Sequence, residues 1–407
     1  MQEHTTCLVR ERFSNYYRNC NEISLLPSSI SQREFGFALF DRKTMIRHKN
    51  FVTSSSLRDY LASFTPSDVY YSSAYYQSPK ATMEEKGWLG ADLVFDIDAD
   101  HIPTPCGKIH DSWTCSGCGF SGKGPSPEKC PICERSKFDT RKWMCDRCLE
   151  SAKKETIKLL DMLMRDFGFP ESELRVYFSG NRGYHVHVEA DSIRLLDSIA
   201  RKEIVDYVIG LGLEPELHGL TKKGRIDFGD KIDGGGWQGR VGRGVLEFLE
   251  ASSEEIATVG LSKRFIKNLM ERRKMLREKL EKGGWLDVTG VGSKNWPKII
   301  RWVVEQKASK IDTVVTTDIH RLIRLSGSLH GKTGFAKVET PVGSLSKIDP
   351  LKEAIVFREG EINVDIVEAP RFRIGNKYYG PFRRECQELP TAAALFLICR
   401  GAAQARE

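Results

Sequence analysis

The stretch "DLVFDIDAD", residues 92–100, decides how this chain is read. Leu93, Phe95 and Ile97 alternate with Asp92, Val94, Asp96 and Asp98, the two-residue period of a strand with one face in a core. On that register Asp96 and Asp98 leave the strand on the same side, where their charges repel. Strands are depleted in aspartate, so a row of them needs compensation. A divalent cation supplies it, and two-metal sites for phosphoryl transfer use carboxylates in this way. The plainer alternative is a strand that runs out into an acidic loop.

Outward from that strand, 407 residues suffice for two or three packed units. With 40% hydrophobic and 29% charged residues, the chain reads as an ordinary soluble protein rather than a disordered or membrane one. No apolar run approaches the roughly 20 residues of a spanning helix, so no membrane partner is expected. The start, MQEHTTCLVRERF, lacks the apolar centre of a signal peptide, and "AAALFLICRGAA" near the other end reads as a docked helix. A net charge of +7 permits a nucleic-acid partner without requiring one. Seven of the eleven cysteines lie between positions 106 and 148. Clustered C-x-x-C pairs in a chain without a secretory signal point to metal rather than disulfides.

The two runs "REFGFALF" (33–40) and "TMIRHKNF" (44–51) read as strands joined by the turn Asp41-Arg42-Lys43. From Leu149 to Phe167 apolar residues recur at helical spacing, and "LRVYFSGNRGYHVHV" (174–188) reads as strand, loop, strand. Its loop is rich in groups that bind anions. Residues 192–306 are mostly helical and basic. In "SKRFIKNLMERRKMLREKLEK" (262–282) the residues Phe265, Leu269, Leu276 and Leu280 share one side, which leaves either a solvated basic face or a phosphate-contacting one. The Gly-rich stretch 227–244 has no Gly-Lys-Ser/Thr and is given no nucleotide role. In "KIDTVVTTDIHRLIRLSGSLHGKTG" (310–334), Thr317 or Asp318 is expected to cap a short helix carrying Arg321 and Arg324.

Polar residues collect at strand ends and in glycine-bearing turns: Asp96 and Asp98, Ser179, Arg182 and His185, Asp312, and Arg324, His330 and Lys332. Three carboxylates, several cations and a hydroxyl match the needs of metal-assisted phosphoryl transfer. Singly each has a structural explanation, and strand histidines such as His185 and His187 are more often structural than catalytic.

With these residues in view the chain resembles the catalytic small subunit of the archaeal–eukaryotic DNA primases. "REFGF" with "IRHKNF", "VYYSSAYY", "LVFDIDAD", "YFSGNRGYHVHV" and "IDTVVTTDIHRLIRLSGSLHGKTG" occur in that family's order. The resemblance implies a catalytic triad of Asp96, Asp98 and Asp312 binding Mg²⁺ or Mn²⁺. It implies nucleotide contacts from Ser179, Arg182, His185, Arg324 and His330, with Glu34 and Arg47 at further positions of the nucleotide site. Asn181 departs from it, since some members carry a second arginine there. A DNA primase catalytic subunit that makes short primers de novo on single-stranded DNA from nucleoside triphosphates is the activity implied, in a heterodimer with a large regulatory subunit. The place is the cytoplasm beside the nucleoid in an archaeal cell, or the nucleus in a eukaryotic one. A repair or end-joining polymerase of the same superfamily and a non-catalytic zinc-binding nucleic-acid module are the alternatives. Should one aspartate prove dispensable, Asp227, Asp230 and Asp233 are the other candidates for the third carboxylate.

The fold class expected is α/β: a mixed-sheet primase core with a zinc-binding insertion and a mainly helical one. Residues 1–191 form the first part of the core, 101–150 the zinc-binding insertion within it, 192–306 the helical insertion, and 307–407 the second part with a C-terminal helix. Family members carry one zinc knuckle after the active strand, and here Cys106, His110, Cys145 and Cys148 match it. Between them "CSGCGFSGKGPSPEKCPIC" adds Cys115, Cys118, Cys130 and Cys133 with zinc-ribbon spacing, and Gly119 suits the tight turn around a metal. Eight ligands make two closed structural Zn²⁺ sites. The nested pairing, an outer Cys106/His110/Cys145/Cys148 around an inner ribbon, is expected, with sequential halves as the alternative.

Overall fold

The computed structural model describes residues 3–21, 26–40, 42–214, 234–281 and 295–406. Asp41, the carboxylates Asp227, Asp230 and Asp233, and the glycine-rich stretch up to residue 233 lie outside the described residues. The chain has the α/β fold its pattern implied, divided into two compact units.

The first unit comprises Met1–Lys154, Ser172–Arg201 and Ile311–Glu407. Its strands fall into several small sheets, and every ladder among the described residues is antiparallel, so the mixed pairing expected of the core sheet is corrected for those residues. One four-stranded sheet runs Leu322–Arg324, Asp68–Ser72, Phe35–Leu39, Arg42–Lys49. Phe35, Phe37, Val69 and Ile323 anchor it in the core. A second runs Val338–Thr340, Leu174–Phe178, Gly183–Val188, Leu93–Asp98. In the second, the D-x-D strand lies at the edge, with Asp96 opposite His185 and Asp98 opposite Gly183. A side chain at Gly183 would collide with the Ile97 carbonyl, so only glycine lets the two strands close at that point.

The aspartates of "DLVFDIDAD" are compensated in two different ways. Asp92 is buried, paired with Arg33 at 2.6 Å and accepting the Tyr75 hydroxyl at 2.7 Å. Among the described residues Asp96 and Asp98 have no buried arginine partner of this kind, and both stay partly exposed. Val94 is as buried as Leu93 and Phe95, so the period-2 pattern holds only at the carboxylate end of the strand.

One local expectation is corrected. Arg324 sits on the strand Leu322–Arg324, and the short helix comes earlier, at Thr313–Thr317. Asp312 caps it by accepting the Val314 N–H at 3.0 Å, and Asp318 ends it. Beyond that point Ile323 gains more by entering the sheet against Asp68–Ser72 than a further helical turn would offer. The helix Thr391–Cys399 is buried almost all round, as its uniformly apolar sequence requires.

The second unit, Glu155–Glu171 with Lys202–Lys310, is helical where it is described. Arg240, buried, bridges Asp161 at 2.7 Å and Asp166 at 2.6 Å. The basic helix Lys263–Glu281 buries Phe265, Leu269, Leu276 and Leu280 and exposes most of its charged residues, the arrangement of a solvated amphipathic helix.

Candidate functional site

Three aspartates from two distant stretches meet beside the edge strand. Asp96 and Asp98 share a face of Leu93–Asp98, and the Asp312 backbone N–H donates to the Asp96 carbonyl at 2.8 Å. This bond carries the start of helix Thr313–Thr317 to the D-x-D strand. Burial, then the charges of Asp98 and Asp312, push the Asp96 carboxyl up to about 7, while Arg321 and His101 oppose the rise. Such a carboxylate cluster is repulsive by itself and suits a divalent cation, whose attraction to each carboxylate outweighs their mutual repulsion. The His185 Nε2 stands 3.6 Å from Asp96 Oδ1.

The loop after Leu174–Phe178 is folded around Ser179. Its Oγ accepts the backbone N–H groups of Asn181 and Gly183, both at 3.3 Å, and its own N–H donates to the Gly183 carbonyl at 2.9 Å. Arg182 is buried and ion-paired with Asp100, and its Nε and Nη1 have no acceptor among the described residues. The loop is tied to the other basic turn by Thr333, whose hydroxyl donates to the Gly180 carbonyl at 2.5 Å.

Arg324 and His330 are held by a residue that the sequence pattern did not single out. Asp68 Oδ1 accepts Arg324 Nη1 at 2.6 Å and the Gly331 N–H at 3.0 Å, with His330 Nδ1 at 3.8 Å. Burial works against the Asp68 charge, but Arg324 and the Gly331 N–H hold its carboxyl well below the usual range. Burial, reinforced by neighbouring cations, drives His185 and His330 well below the ordinary histidine value. Both imidazoles are therefore neutral near pH 7, donors of hydrogen bonds rather than of charge. Behind them Lys337 is buried, donating to the Arg324 carbonyl at 2.8 Å and lying 4.4 Å over the Tyr177 ring. Asp68→Ala is expected to leave Arg324 buried and unpaired, and to cost roughly 3–5 kcal/mol in a urea titration. A loss below about 1 kcal/mol would show the pair to be exposed to water.

Glu34 and Arg47 meet directly, Arg47 Nε donating to Glu34 Oε1 at 3.0 Å. Lys86 pairs with the other carboxylate oxygen, and the His48 N–H donates to Oε1 at 3.1 Å. Burial opposes the Glu34 charge, but Lys86 and Arg47 prevail and keep the carboxyl below its ordinary value. Lys86 had no signal in the sequence beyond its charge. These residues form a saturated network, so Arg47, the more exposed cation, is the member available to a ligand.

The eight cysteine and histidine positions gather into two clusters, Cys106/His110/Cys145/Cys148 and Cys115/Cys118/Cys130/Cys133, each with its ligand atoms within 4.8 Å of one another. The pairing is nested. Sulfur–sulfur distances of 3.3 Å (Cys106–Cys148), 3.6 Å (Cys145–Cys148), 3.5 Å (Cys115–Cys133) and 3.6 Å (Cys118–Cys130) are too long for disulfides. They approach the roughly 3.8 Å separation that Zn–S bonds of about 2.3 Å impose on a tetrahedron. His110 turns Nδ1 to Asp111 Oδ1 at 2.7 Å and Nε2 to Cys148 Sγ at 3.4 Å, the orientation of a metal-ligating imidazole with a carboxylate behind it. In the ribbon the Gly117 N–H donates to Cys115 Sγ at 3.4 Å, and with the Cys118 N–H it holds that thiol down to about 6. Gly119 takes φ +75°, the left-handed turn such a knuckle needs.

The family model described as the DNA primase small subunit matches residues 138–344. The chain is 36% identical, over the full length of both chains, to a protein of Cenarchaeum symbiosum (strain A) named DNA primase small subunit. It is 35% identical to the protein of that name from Methanothrix thermoacetophila, covering 99% of this chain and all of the relative. With that of Nitrosopumilus maritimus it shares 32%, over 98% of each chain. Identity at this level over whole chains, added to a D-x-D strand that meets a distant third aspartate, establishes that this chain belongs to the DNA primase small subunit family.

Proposed function

We propose that the chain is the catalytic subunit of a DNA primase, joining nucleoside triphosphates de novo into short RNA primers on a single-stranded DNA template. The observation that carries this reading is the meeting of Asp96, Asp98 and Asp312 beside the strand residue His185 and the loops that present Ser179, Arg182 and His330. The carboxylate set fits Mg²⁺ or Mn²⁺, because burial, then the charges of Asp98 and Asp312, hold the Asp96 carboxyl up to about 7, and a bound cation would favour its charged form. When bound, such ions supply Lewis-acid activation of a 3′-hydroxyl and stabilise charge on the α-phosphate and the leaving pyrophosphate. Asp96, Asp98 and Asp312 would hold them.

The rest falls to the chain itself. Ser179 organises the loop whose backbone faces the triphosphate, and Arg182, two of whose nitrogens meet no acceptor among the described residues, exchanges Asp100 for phosphate oxygens. His185 and His330 enter neutral and donate N–H groups, and an arriving polyanion raises their pKa values so that they gain charge where it is needed. Asp68 orients Arg324 and His330, and the Glu34–Lys86 pair fixes Arg47. Both cysteine clusters are read as structural zinc sites, each closed by four protein ligands. A larger subunit completing the enzyme is supported by the relatives' name "small subunit", and the archaeal origin of those relatives supports a cytoplasmic reaction. No helix among the described residues is long and apolar enough to cross a membrane.

Incubation with template, nucleoside triphosphates and Mn²⁺ tests the reading: de novo products support it, and extension of a supplied primer alone would make the chain a polymerase of another kind. Arg182→Ala, His185→Ala and His330→Ala are each expected to raise the KM for nucleotide by roughly ten- to a hundredfold, the weight of about 1.5–3 kcal/mol per charged hydrogen bond. Template affinity should hold. The reverse pattern, weaker template binding at constant KM, would remove these residues from the triphosphate site.

A further inference from the structure

Within the first unit, the ribbon and the C-terminal sheet face each other across a groove of about 1230 Å³ whose floor is the Asn181–Arg182 turn and Arg400. Eight of the residues that line it are Lys or Arg and three are Asp or Glu, so the groove is strongly positive. Two of the three acids are already engaged inside the protein. Asp100 pairs with Arg182 and, at 3.2 Å, with Lys142, while Asp111 holds His110 and accepts the Trp143 N–H. On the walls the cations are exposed and uncommitted: Lys123, Arg141 and Arg383 make no ion pair among the described residues, and Arg371 only stacks on Tyr378, at 4.4 Å.

The floor gives a second, independent sign. Arg400 spans the two sides, donating from Nη1 to the Lys142 carbonyl and from Nη2 to Asn181 Oδ1, both at 2.8 Å. Its Nε, with Nε and Nη1 of the buried Arg182, is a donor that meets no acceptor among the described residues. Buried guanidinium donors left unsatisfied are costly, and the acceptor chemistry that suits them is the phosphate oxygen. One phosphate cannot fill a space of this size or answer cations on two opposed walls. A repeating anion can.

We propose that this groove carries the sugar–phosphate backbone of the nucleic acid engaged at the active site, with the zinc ribbon as one of its walls. The inference rests on the primase reading above and deepens it, since the groove begins at Arg182 and Asp100, next to Asp98. It also gives the ribbon a role beyond its own stability: it holds Lys123 and Arg141 in place opposite Arg371 and Arg383.

The test uses the full chain with one wall reversed at a time, as Lys123→Glu with Arg141→Glu or Arg371→Glu with Arg383→Glu. A matched control, Lys80→Glu with Lys347→Glu, changes exposed lysines outside the groove by the same charge. Zinc content and melting temperature report folding. Affinity for a labelled single-stranded DNA and for an RNA–DNA hybrid of equal length is followed against salt. Each groove variant should bind at least about tenfold more weakly than the control at low salt, with a log–log salt slope smaller by roughly 1.4 for two lost single-strand phosphate contacts. A larger loss for the single strand assigns the groove to template, and a larger loss for the hybrid assigns it to product. Groove variants that match the control in affinity and slope overturn the inference, and so would a polyglutamate that competes as well as DNA of equal charge. If the unaltered chain primes while the variants are unaffected, only the groove assignment falls. If the unaltered chain neither primes nor binds DNA, the functional reading falls with it.

Discussion

Asp96→Asn is expected to yield a folded chain that makes no primers, with nucleotidyl transfer reduced at least about a thousandfold, as for loss of a group that stabilises transition-state charge. The substitution removes a charge and almost no volume, so the strand Leu93–Asp98 and its pairing with Gly183–Val188 persist. Stability should move the other way from activity. In the metal-free chain the Asp96 carboxyl is raised from 3.8 to about 7 by burial and by Asp98 and Asp312. The native state then binds the proton more tightly than the unfolded one. This group therefore costs nothing in acid, destabilises progressively as pH rises from about 4 to about 7, and stays costly above that. Asp96→Asn should raise the melting temperature of the metal-free protein at pH 8 and leave it unchanged below pH 4. Adding Mn²⁺ should stabilise the unaltered chain at pH 8 more than the variant. Asp312→Asn should be equally inactive while keeping its helix, because asparagine caps Val314 as well as aspartate does. Primer synthesis at the normal rate in either variant would take that residue out of the triad, and an unmoved melting temperature at pH 8 would show that the three charges are not coupled.

Removing the zinc ligands should separate the two metal centres. The purified chain is expected to hold two zinc ions, and Cys130→Ser with Cys133→Ser to hold one while retaining most single-nucleotide transfer. Replacing Cys106 and Cys148 should be far more damaging. Cys148 is buried on helix Asp146–Arg165, and Thr104 leads the chain from the D-x-D strand straight to the outer cluster. Apparent binding energies of structural zinc in small peptide domains run to about 10–16 kcal/mol, of the order of the whole stability of a domain. Loss of the outer site should therefore appear as insoluble protein or a collapsed unfolding transition, while loss of the ribbon leaves the transition of the core in place. One zinc in the unaltered chain contradicts the assignment of two centres. Loss of both ions from the Cys130/Cys133 variant would show that the clusters are not independent.

Much of the site was legible in advance because it is written in short-range patterns. The D-x-D strand, the strand–loop–strand around "SGNRG", the buried C-terminal helix and each C-x-x-C pair are set by near neighbours in sequence, where periodicity and turn chemistry act directly. Arg324 was misplaced on a helix for the complementary reason. "HRLIR" has helical and strand character alike, and only the chance to pair with Asp68–Ser72, some 250 residues earlier, decides between them.

The residues that escaped notice have one property in common: each acts through a partner far off in sequence. Asp68 is an unremarked acid until Arg324, His330 and the Gly331 N–H are folded onto it. Lys86 becomes the counter-ion of Glu34, Lys337 the buried amine beneath Arg324, and Arg400 the bridge from Lys142 to Asn181. By itself the sequence determined the strands and helices written in local periodicity, which carboxylates are left without a local counter-ion, and which cysteines and histidine could hold a metal. Only the tertiary structure decided which charges neutralise one another and which remain open to a ligand, because a charge buried in a protein interior takes its energy from whatever chain the strand register brings within a few ångströms.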